Sequence, residues 1–215
     1  MARWPFLLLL VLPAAGRAAD VSTTPYIALY SVLEPARTIR AFDHLVVNER
    51  IESKSPGVRP QDIHITIRAK RGAIVVPIGA DGTVDFPIED ALRDENPPVE
   101  TNQPKGSLAL SVLPGLRLPA GLTMSGADLA AAMKQTDELF AKAPPGSPPP
   151  VLRGIIVEFD AGAPASVTLA GKGESLLKAD AGGRVIVMRD LLRESEKPSL
   201  VFSRRPAGLQ PYLGE

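Results

Sequence analysis

Apolar and polar residues alternate along several short stretches of this chain. Between residues 62 and 68, Ile63, Ile65 and Ile67 are separated by polar residues. A period of two predicts a strand with one buried face. A turn, the apolar stretch Ala73–Ile78, a GADG turn and the stretch Thr83–Ile88 follow. Together these features predict an antiparallel meander of three strands.

Two other stretches space their apolar residues as a helix does. The apolar residues from Tyr26 to Leu33 fall at i, i+3, i+4 and i+7, and Pro35 is expected to end that helix. Ser125 resembles the first residue of a capping box, and the pattern after it predicts a helix over residues 125–142. Each predicted helix therefore precedes a group of predicted strands.

Further strands are predicted where β-branched and apolar residues lie between turn-forming residues. They are His44–Ile51, Val99–Asn102, Leu108–Val112, Gly154–Phe159, Ala165–Leu169, Ser175–Lys178, Arg184–Met188 and Leu200–Ser203. An ADAGG turn is expected to join Ser175–Lys178 to Arg184–Met188 as a hairpin. Short helical turns are expected at Glu89–Glu95 and Asp190–Glu196, and a connector at Leu113–Met124.

One segment of the chain recurs in altered form, since Asp81–Gly106 aligns with Gly182–Gly208. The shared positions are Gly82 with Gly183, Val84 with Val185, Asp90 with Asp190, Leu92 with Leu192, Arg93 with Arg193, Pro98 with Pro198, Pro104 with Pro206 and Gly106 with Gly208. Glycines, prolines and apolar residues mainly direct folding, so the repeat indicates a duplicated architecture.

The predicted fold class is α+β, mainly β, with two tandem related modules. Each module would be a small antiparallel sheet or sandwich with one leading helix and a short helical turn. The modules are expected at residues 21–113 and 151–213. The connector, residues 114–150, contains the helix over 125–142, a candidate leading helix for the second module, and a proline-rich spacer over 144–150. The GADGTVDFP and ADAGGRV turns resemble hairpins of bacterial transthyretin-like and carboxypeptidase regulatory-like sandwiches, a resemblance that carries no function.

The first residues predict the compartment of the protein. Arg3, the short apolar stretch Phe6–Leu12 and the small residues up to Ala18 are typical of a secretory signal peptide over residues 1–18. The apolar stretch is too short for a membrane span. The sequence contains no cysteine, which excludes disulfides and a thiol nucleophile. The expected location is periplasmic or secreted, with no membrane span after cleavage.

Charge and histidine content narrow the possible functions. Lys and Arg total 24, as do Asp and Glu, and loss of Arg3 and Arg17 with the signal peptide leaves a slightly negative chain. No basic run is present, so a nucleic-acid partner is not expected. The two histidines, His44 and His64, provide neither a zinc-ligand spacing nor a serine-protease constellation. We therefore predict no metal and no cofactor.

Two groups of residues are candidates for chemistry or binding. Glu89 and Asp94 could act as an acid pair in hydrolysis, although acids near the start of a helix also stabilise its dipole. Asn102, Gln103, Lys105 and Ser107 place donors and acceptors on one turn, where the second copy carries Phe202 and two arginines. This turn could bind a small polar ligand, or it could satisfy the backbone at the end of a strand.

The leading hypothesis is an exported, soluble, non-enzymatic bacterial envelope protein that binds a protein or an envelope component. It depends on the signal peptide, the repeated β-rich unit and the lack of a recognisable catalytic set. One alternative is a hydrolase of envelope carbohydrate or peptide that uses Glu89 and Asp94. Another is an inhibitor of an exogenous hydrolase that presents the loop Pro144–Pro150. The oligomeric state stays open.

Overall fold

The computed structural model describes residues 22–142, 149–171, 174–194 and 198–214. The predicted signal peptide lies outside these residues, as do residues 144–148 of the predicted spacer. The strands are β1 (Ser22–Pro25), β2 (Leu45–Ser53), β3 (Ile65–Ala69), β4 (Gly72–Val76), β5 (Pro98–Thr101), β6 (Leu108–Leu116), β7 (Thr123–Met124), β8 (Gly154–Glu158), β9 (Ser166–Ala170), β10 (Ser175–Lys178), β11 (Arg184–Met188), β12 (Ser199–Phe202) and β13 (Gly208–Tyr212). The helices are α1 (Tyr26–Arg40), α2 (Asp90–Glu95), α3 (Gly126–Phe140) and α4 (Arg189–Glu194), with a 3₁₀ turn at Pro60–Asp62.

The fold is α+β and mainly β, with several small antiparallel sheets and few helices, as the alternation of apolar residues predicts. In the first half, residues 22–116, one sheet has the strand order β1-β5-β3-β4, and β2 pairs separately with β6. Apolar side chains from both groups and from α1 and α2 form one core. The isoleucines at 63, 65 and 67 are buried there, and His64 is exposed, as their alternation predicts.

The second half, residues 123–212, has one sheet with the order β7-β12-β9-β10 and another with the order β11-β8-β13. Taken in chain order, the strands of the two four-stranded sheets occupy equivalent places. The other sheets differ, because β8 and β13 correspond to β2 and β6, whereas β11 corresponds only to the isolated bridges at Thr83 and Val84. The helix α3 and the inner faces of both sheets form a second core. The duplication predicted from the sequence stays a prediction, whereas the two strand orders are observed.

Helix α1 continues past the expected stop at Pro35 and ends at Arg40. A proline inside a helix removes one backbone hydrogen bond and normally favours a break. Here the turns after Pro35 bury Ala36 and Ile39, at 0% and 2% exposure. This apolar burial favours continuation of the helix. Helix α3 begins as predicted, because the Ser125 hydroxyl accepts a hydrogen bond from the Asp128 N–H at 3.1 Å.

Two predictions about strands are wrong, and three strands are not predicted. The residues from 113 to 116 are not a connector, since they extend β6 against β2 through Pro114 and Gly115. The strands β1, β7 and β13 have no counterpart among the predicted strands. The stretch Thr83–Ile88 forms only isolated bridges at Thr83 and Val84, to Arg50 and Ile78. Register with a distant partner decides each of these cases, and local sequence pattern does not encode it.

The predicted hairpin between β10 and β11 is also wrong. Strand β10 pairs with β9, and β11 pairs with β8, so the turn between them carries the chain from one sheet to the other. The turn itself is tight: the Asp180 N–H donates to the Arg184 carbonyl at 2.9 Å. A tight turn therefore joins two layers here, although the same residue types are typical of a hairpin within one sheet.

Each of two equivalent turns ends at a glycine whose backbone lies close to a neighbouring strand. Gly82 and Gly183 have φ angles of 83° and 79°. The Ile51 N–H donates to the Gly82 carbonyl, and the Phe159 N–H donates to the Gly183 carbonyl, both at 2.8 Å. A Cβ would lie 2.7 Å from the Ile51 oxygen or 2.4 Å from the Phe159 oxygen. Both positions therefore require glycine.

An ion pair connects the two helices of each half, with the charges reversed. In the first half, Arg37 of α1 pairs with Asp90 of α2 at 2.7 Å. In the second half, Asp137 of α3 pairs with Arg189 of α4 at 2.6 Å. The longer helix therefore supplies the cation in the first half and the anion in the second.

The two halves contact each other along β6 and β13. Gly115 of β6 lies so close to β13 that a Cβ there would be 3.2 Å from the Leu209 carbonyl oxygen. Leu116, the last residue of β6, belongs to the core of the second half. The His44 N–H also donates to the Gln135 side chain at 2.8 Å. The connection between the halves thus includes buried apolar contact as well as hydrogen bonds.

Candidate functional site

In the polar turn predicted as a ligand site, some side chains hydrogen-bond to the protein and one is exposed to solvent. The Asn102 carboxamide accepts from the His64 N–H and donates to the Asp62 carbonyl, both at 2.8 Å. In the second half, the Ser203 hydroxyl accepts from the Ser166 N–H at 2.8 Å at the corresponding strand end. Asn102 therefore satisfies backbone groups at the end of the sheet, which is the alternative role that the sequence analysis left open.

Gln103 and Ser107 also have local partners. Gln103 is 7% exposed, and its side-chain amide donates to the Asn102 oxygen at 3.3 Å. The Ser107 hydroxyl donates to the Pro104 carbonyl at 2.7 Å, as expected in a tight turn. Of the four predicted residues, only Lys105 is exposed, and the structure brings it to the rim of a cavity.

This cavity lies between the two sheets of the first half and has a volume of about 230 Å³. We call it the intersheet cavity. Its lining is Ser22, Thr24, Leu29, Ile51, Ile65, Phe86, Val99, Thr101, Pro104, Lys105, Gly106, Leu108 and Leu110. The interior is mainly apolar, and the polar groups come from β1, from the end of β5 and from the turn after it. A largely apolar cavity with few polar groups is the usual form of a small-molecule site.

The second half carries larger side chains where the first half lines this cavity with threonine. Thr24 pairs with Val99, whereas Met124 pairs with Leu200 at the same place in the strand order. Met124 is 2% exposed and belongs to the core of the second half. The second half therefore fills at least one of the positions that the first half leaves open.

The same contrast holds at the other threonine of the cavity. Thr101 pairs with Ile65, and Phe202 pairs with Val167 at the corresponding place. Phe202 is 1% exposed and also belongs to the second core. Because a phenylalanine and a methionine are much larger than two threonines, the second half leaves less space at these two ladder positions.

A second lysine lies at the turn that forms the rim. The Lys54 ammonium donates to the Gly106 carbonyl at 3.4 Å, and the Lys54 N–H donates to the Ser107 carbonyl at 2.7 Å. Gly106 itself lines the cavity. Within the described residues, neither Lys54 nor Lys105 forms an ion pair with a carboxylate. The rim of the cavity is therefore positively charged.

The predicted acid pair does not form a shared site. Glu89 pairs with Arg71 at 2.7 Å, and Asp94 pairs with Arg93 at 2.8 Å. The Asp94 side chain is 69% exposed, and neither acid lines the intersheet cavity. Each carboxylate has its own cation, an arrangement typical of surface ion pairs.

Glu49 is a buried acid that the sequence interpretation missed. It is 4% exposed, its carboxylate accepts from the Phe86 N–H at 3.0 Å, and it pairs with Arg40 at 3.0 Å. Burial raises the pKa of the Glu49 carboxyl, although the Phe86 hydrogen bond and Arg40 oppose that shift. The Val84 N–H donates to the Glu49 backbone carbonyl, and the segment after Val84 then separates from β2. The Glu49 carboxylate accepts the Phe86 N–H at that point. The signal was available, because Glu49 lies in phase with the apolar Ile51 on a predicted strand.

A second depression lies between the halves. Its lining includes Thr38 of α1, Pro114 of β6 and Phe140 of α3, and its volume is about 450 Å³. Lys142 and Pro150 also border it, next to residues outside the described part of the chain. We therefore assign no site to this depression.

No group of three or more His, Asp or Glu side chains among the described residues could hold a metal ion. Within those residues, no helix is both long and apolar enough to cross a membrane. Comparison with protein-family models, curated proteins and solved structures finds no match to this chain.

Proposed function

We propose that this chain is an exported, non-enzymatic binding protein of the bacterial envelope, built from two related β-rich modules, the first of which binds a small apolar molecule. The export signal at residues 1–18 supports the location. The ligand site is the intersheet cavity. The second module has a structural role and supports the first through the contact between β6 and β13.

Several features support the relationship between the modules. Their four-stranded sheets have equivalent strand orders, and in both halves the chain crosses between layers at a glycine of positive φ. The backbone is closed at the same strand end by Asn102 in one half and by Ser203 in the other. A shared fold with different side chains is the expected product of duplication followed by divergence.

The observation that carries the binding role is the difference at two ladder positions. Thr24 and Thr101 border a cavity of about 230 Å³, whereas Met124 and Phe202 are buried in a core. Native cores are close-packed, whereas this mainly apolar cavity opens to solvent at the rim that carries Lys105 and leaves apolar surface uncovered. An engineered cavity of ~150 Å³ lined by apolar residues binds benzene, so the larger volume here is sufficient for a small apolar ligand.

The test is to give the first half the side chains of the second. In the wild type, we expect 1-octanol to bind in isothermal titration calorimetry and to raise the melting temperature. The double variant Thr24→Met, Thr101→Phe should lose this binding, because its side chains occupy the cavity. It should also be more stable than the ligand-free wild type by about 0.5–2 kcal/mol.

Thr23→Met is the matched control, since Thr23 is exposed on the opposite face of β1 and does not line the cavity. It should bind 1-octanol as the wild type does. Each single variant, Thr24→Met and Thr101→Phe, is measured with the double variant, and circular dichroism checks that all of them fold. Equal binding by the wild type and a folded double variant, or no binding by the wild type, would contradict the proposal.

A further inference from the structure

Resting on the binding role proposed above, we propose that the ligand of the intersheet cavity is a medium-chain alkyl carboxylate. Its chain fills the apolar interior, and its carboxylate lies at the rim between Lys54 and Lys105. The cavity and the rim carry this inference independently: the first determines the length of the chain, and the second determines the charge of the head group.

The size of the cavity limits the apolar part of the ligand. By proportion to the ~150 Å³ that accommodates the six carbons of benzene, a cavity of 230 Å³ accommodates about nine carbon atoms. The lining residues of the interior are aliphatic or aromatic, including Ile51, Phe86 and Val99. An aliphatic chain would meet no unsatisfied polar group there, whereas a sugar or a peptide would lose its hydrogen bonds to water.

The rim favours a negative head group. Lys105 borders the cavity, and the Lys54 ammonium lies against the Gly106 carbonyl of the same turn. Within the described residues, both ammonium groups lack a carboxylate partner. An exposed ammonium attracts a nearby anion modestly, and salt weakens that attraction.

The polar groups beside the rim leave the charge of the lysines uncompensated. The Ser22 hydroxyl donates to the Gln103 carbonyl at 2.7 Å. The Thr101 hydroxyl accepts from the Gln103 N–H at 3.3 Å. These groups are neutral and already bonded to the protein. A carboxylate at the rim would therefore interact with the two lysines first.

The experiment compares three ligands of equal chain length on the purified full chain, octanoate, 1-octanol and octylammonium. Phosphatidylcholine vesicles that contain phosphatidylglycerol are a fourth probe and provide a negatively charged membrane surface. Octanoate should bind tightest, octanol more weakly and octylammonium weakest. The affinity for octanoate should fall as salt rises, and the affinity for octanol should not. Tighter binding of vesicles than of free octanoate would assign the rim to a membrane surface and overturn the proposal.

Lys105→Met and Lys54→Met remove a charge and keep the length of the side chain. Each should lower the affinity for octanoate roughly two- to five-fold and leave the affinity for octanol unchanged. Lys70→Met is the control, because Lys70 is exposed in the turn at the far end of β3. If octanol and octanoate bind equally and neither lysine matters, this inference fails while the binding role stands. If neither ligand binds, the binding role itself fails.

Discussion

In the first half of the molecule, Thr24 and Thr101 border an open cavity, whereas in the second half Met124 and Phe202 occupy the corresponding ladder positions and lie in the core. The four-stranded sheets of the two halves have equivalent strand orders. One arrangement of these strands therefore accommodates small and large side chains at the same ladder positions, and the volume at these two positions contributes to the difference. The comparison shows that the space beside a sheet can differ without a change in its strand order.

The largest expected effect is the loss of stability on truncation of Phe202, whose ring fills its ladder position in the second half. Phe202→Ala should lower the free energy of unfolding by about 3–5 kcal/mol, because it removes a buried ring and leaves a void. Thr101→Ala, its counterpart, should cost less than about 1 kcal/mol, because that side chain already borders open space. Urea denaturation of both variants measures the difference. Equal losses would mean that the halves are packed alike and would remove the contrast.

The next effect tests the feature that the halves share. Gly183→Ala and Gly82→Ala should each cost about 2 kcal/mol or more, because a Cβ collides with a strand carbonyl in addition to the strain of a positive φ. Gly57 has the same φ of 79° as Gly183, and nothing lies within 4 Å of its Cβ position. Gly57→Ala should therefore cost about 1 kcal/mol and isolates the backbone strain. Thermal unfolding that ranks Gly57→Ala with the other two would contradict the close approach.

The smallest effect concerns Glu49, which lies on β2 and whose carboxylate accepts a hydrogen bond from the Phe86 N–H. Burial raises the pKa of its carboxyl above the ordinary value, so the folded state holds this proton more tightly than the unfolded state. The resulting stabilisation is fully present below the unfolded pKa and is lost as pH rises through the folded pKa.

Glu49→Gln cannot titrate and should therefore flatten this part of the pH profile. The measurement is the difference in unfolding free energy between the wild type and Glu49→Gln from pH 4 upward. The wild type should lose stability relative to the variant as pH rises. Glu52→Gln is the control, since Glu52 is an exposed acid on the same strand. A difference that stays flat, or that has the opposite sign, would contradict the raised pKa.

The sequence predicts much of the local structure, because period-two alternation and capping residues are local signals. The buried isoleucines of β3 and the start of α3 at Ser125 are examples. The helix stop predicted at Pro35 is wrong because the burial of Ala36 and Ile39 outweighs a lost hydrogen bond, and that burial depends on distant strands. The hairpin predicted for β10 and β11 is wrong because the same turn residues can connect strands of one sheet or of two.

The candidate site was predictable only in part. The difference between the repeats singles out Lys105 as part of a turn for a small polar ligand, and the structure places it at the rim of a mainly apolar cavity. The cavity depends on which side chains face each other across two sheets, and Thr24 and Thr101 are far apart in the chain. Both threonines border one cavity because of the register between β1 and β5, which the sequence pattern of either strand does not specify.

The reversed ion pairs between helices have a consequence for how the chain assembles. Neighbouring units with similar folds can misassemble by exchanging equivalent elements. If α3 docked on the first half, Asp137 would approach Asp90, and like charges disfavour that exchange, whereas the native pairings attract. If α1 docked on the second half, Arg37 would meet Arg189 beside Asp190, the residue that aligns with Asp90, so repulsion and attraction there oppose each other. The charges thus discriminate mainly against α3 on the wrong half during self-assembly.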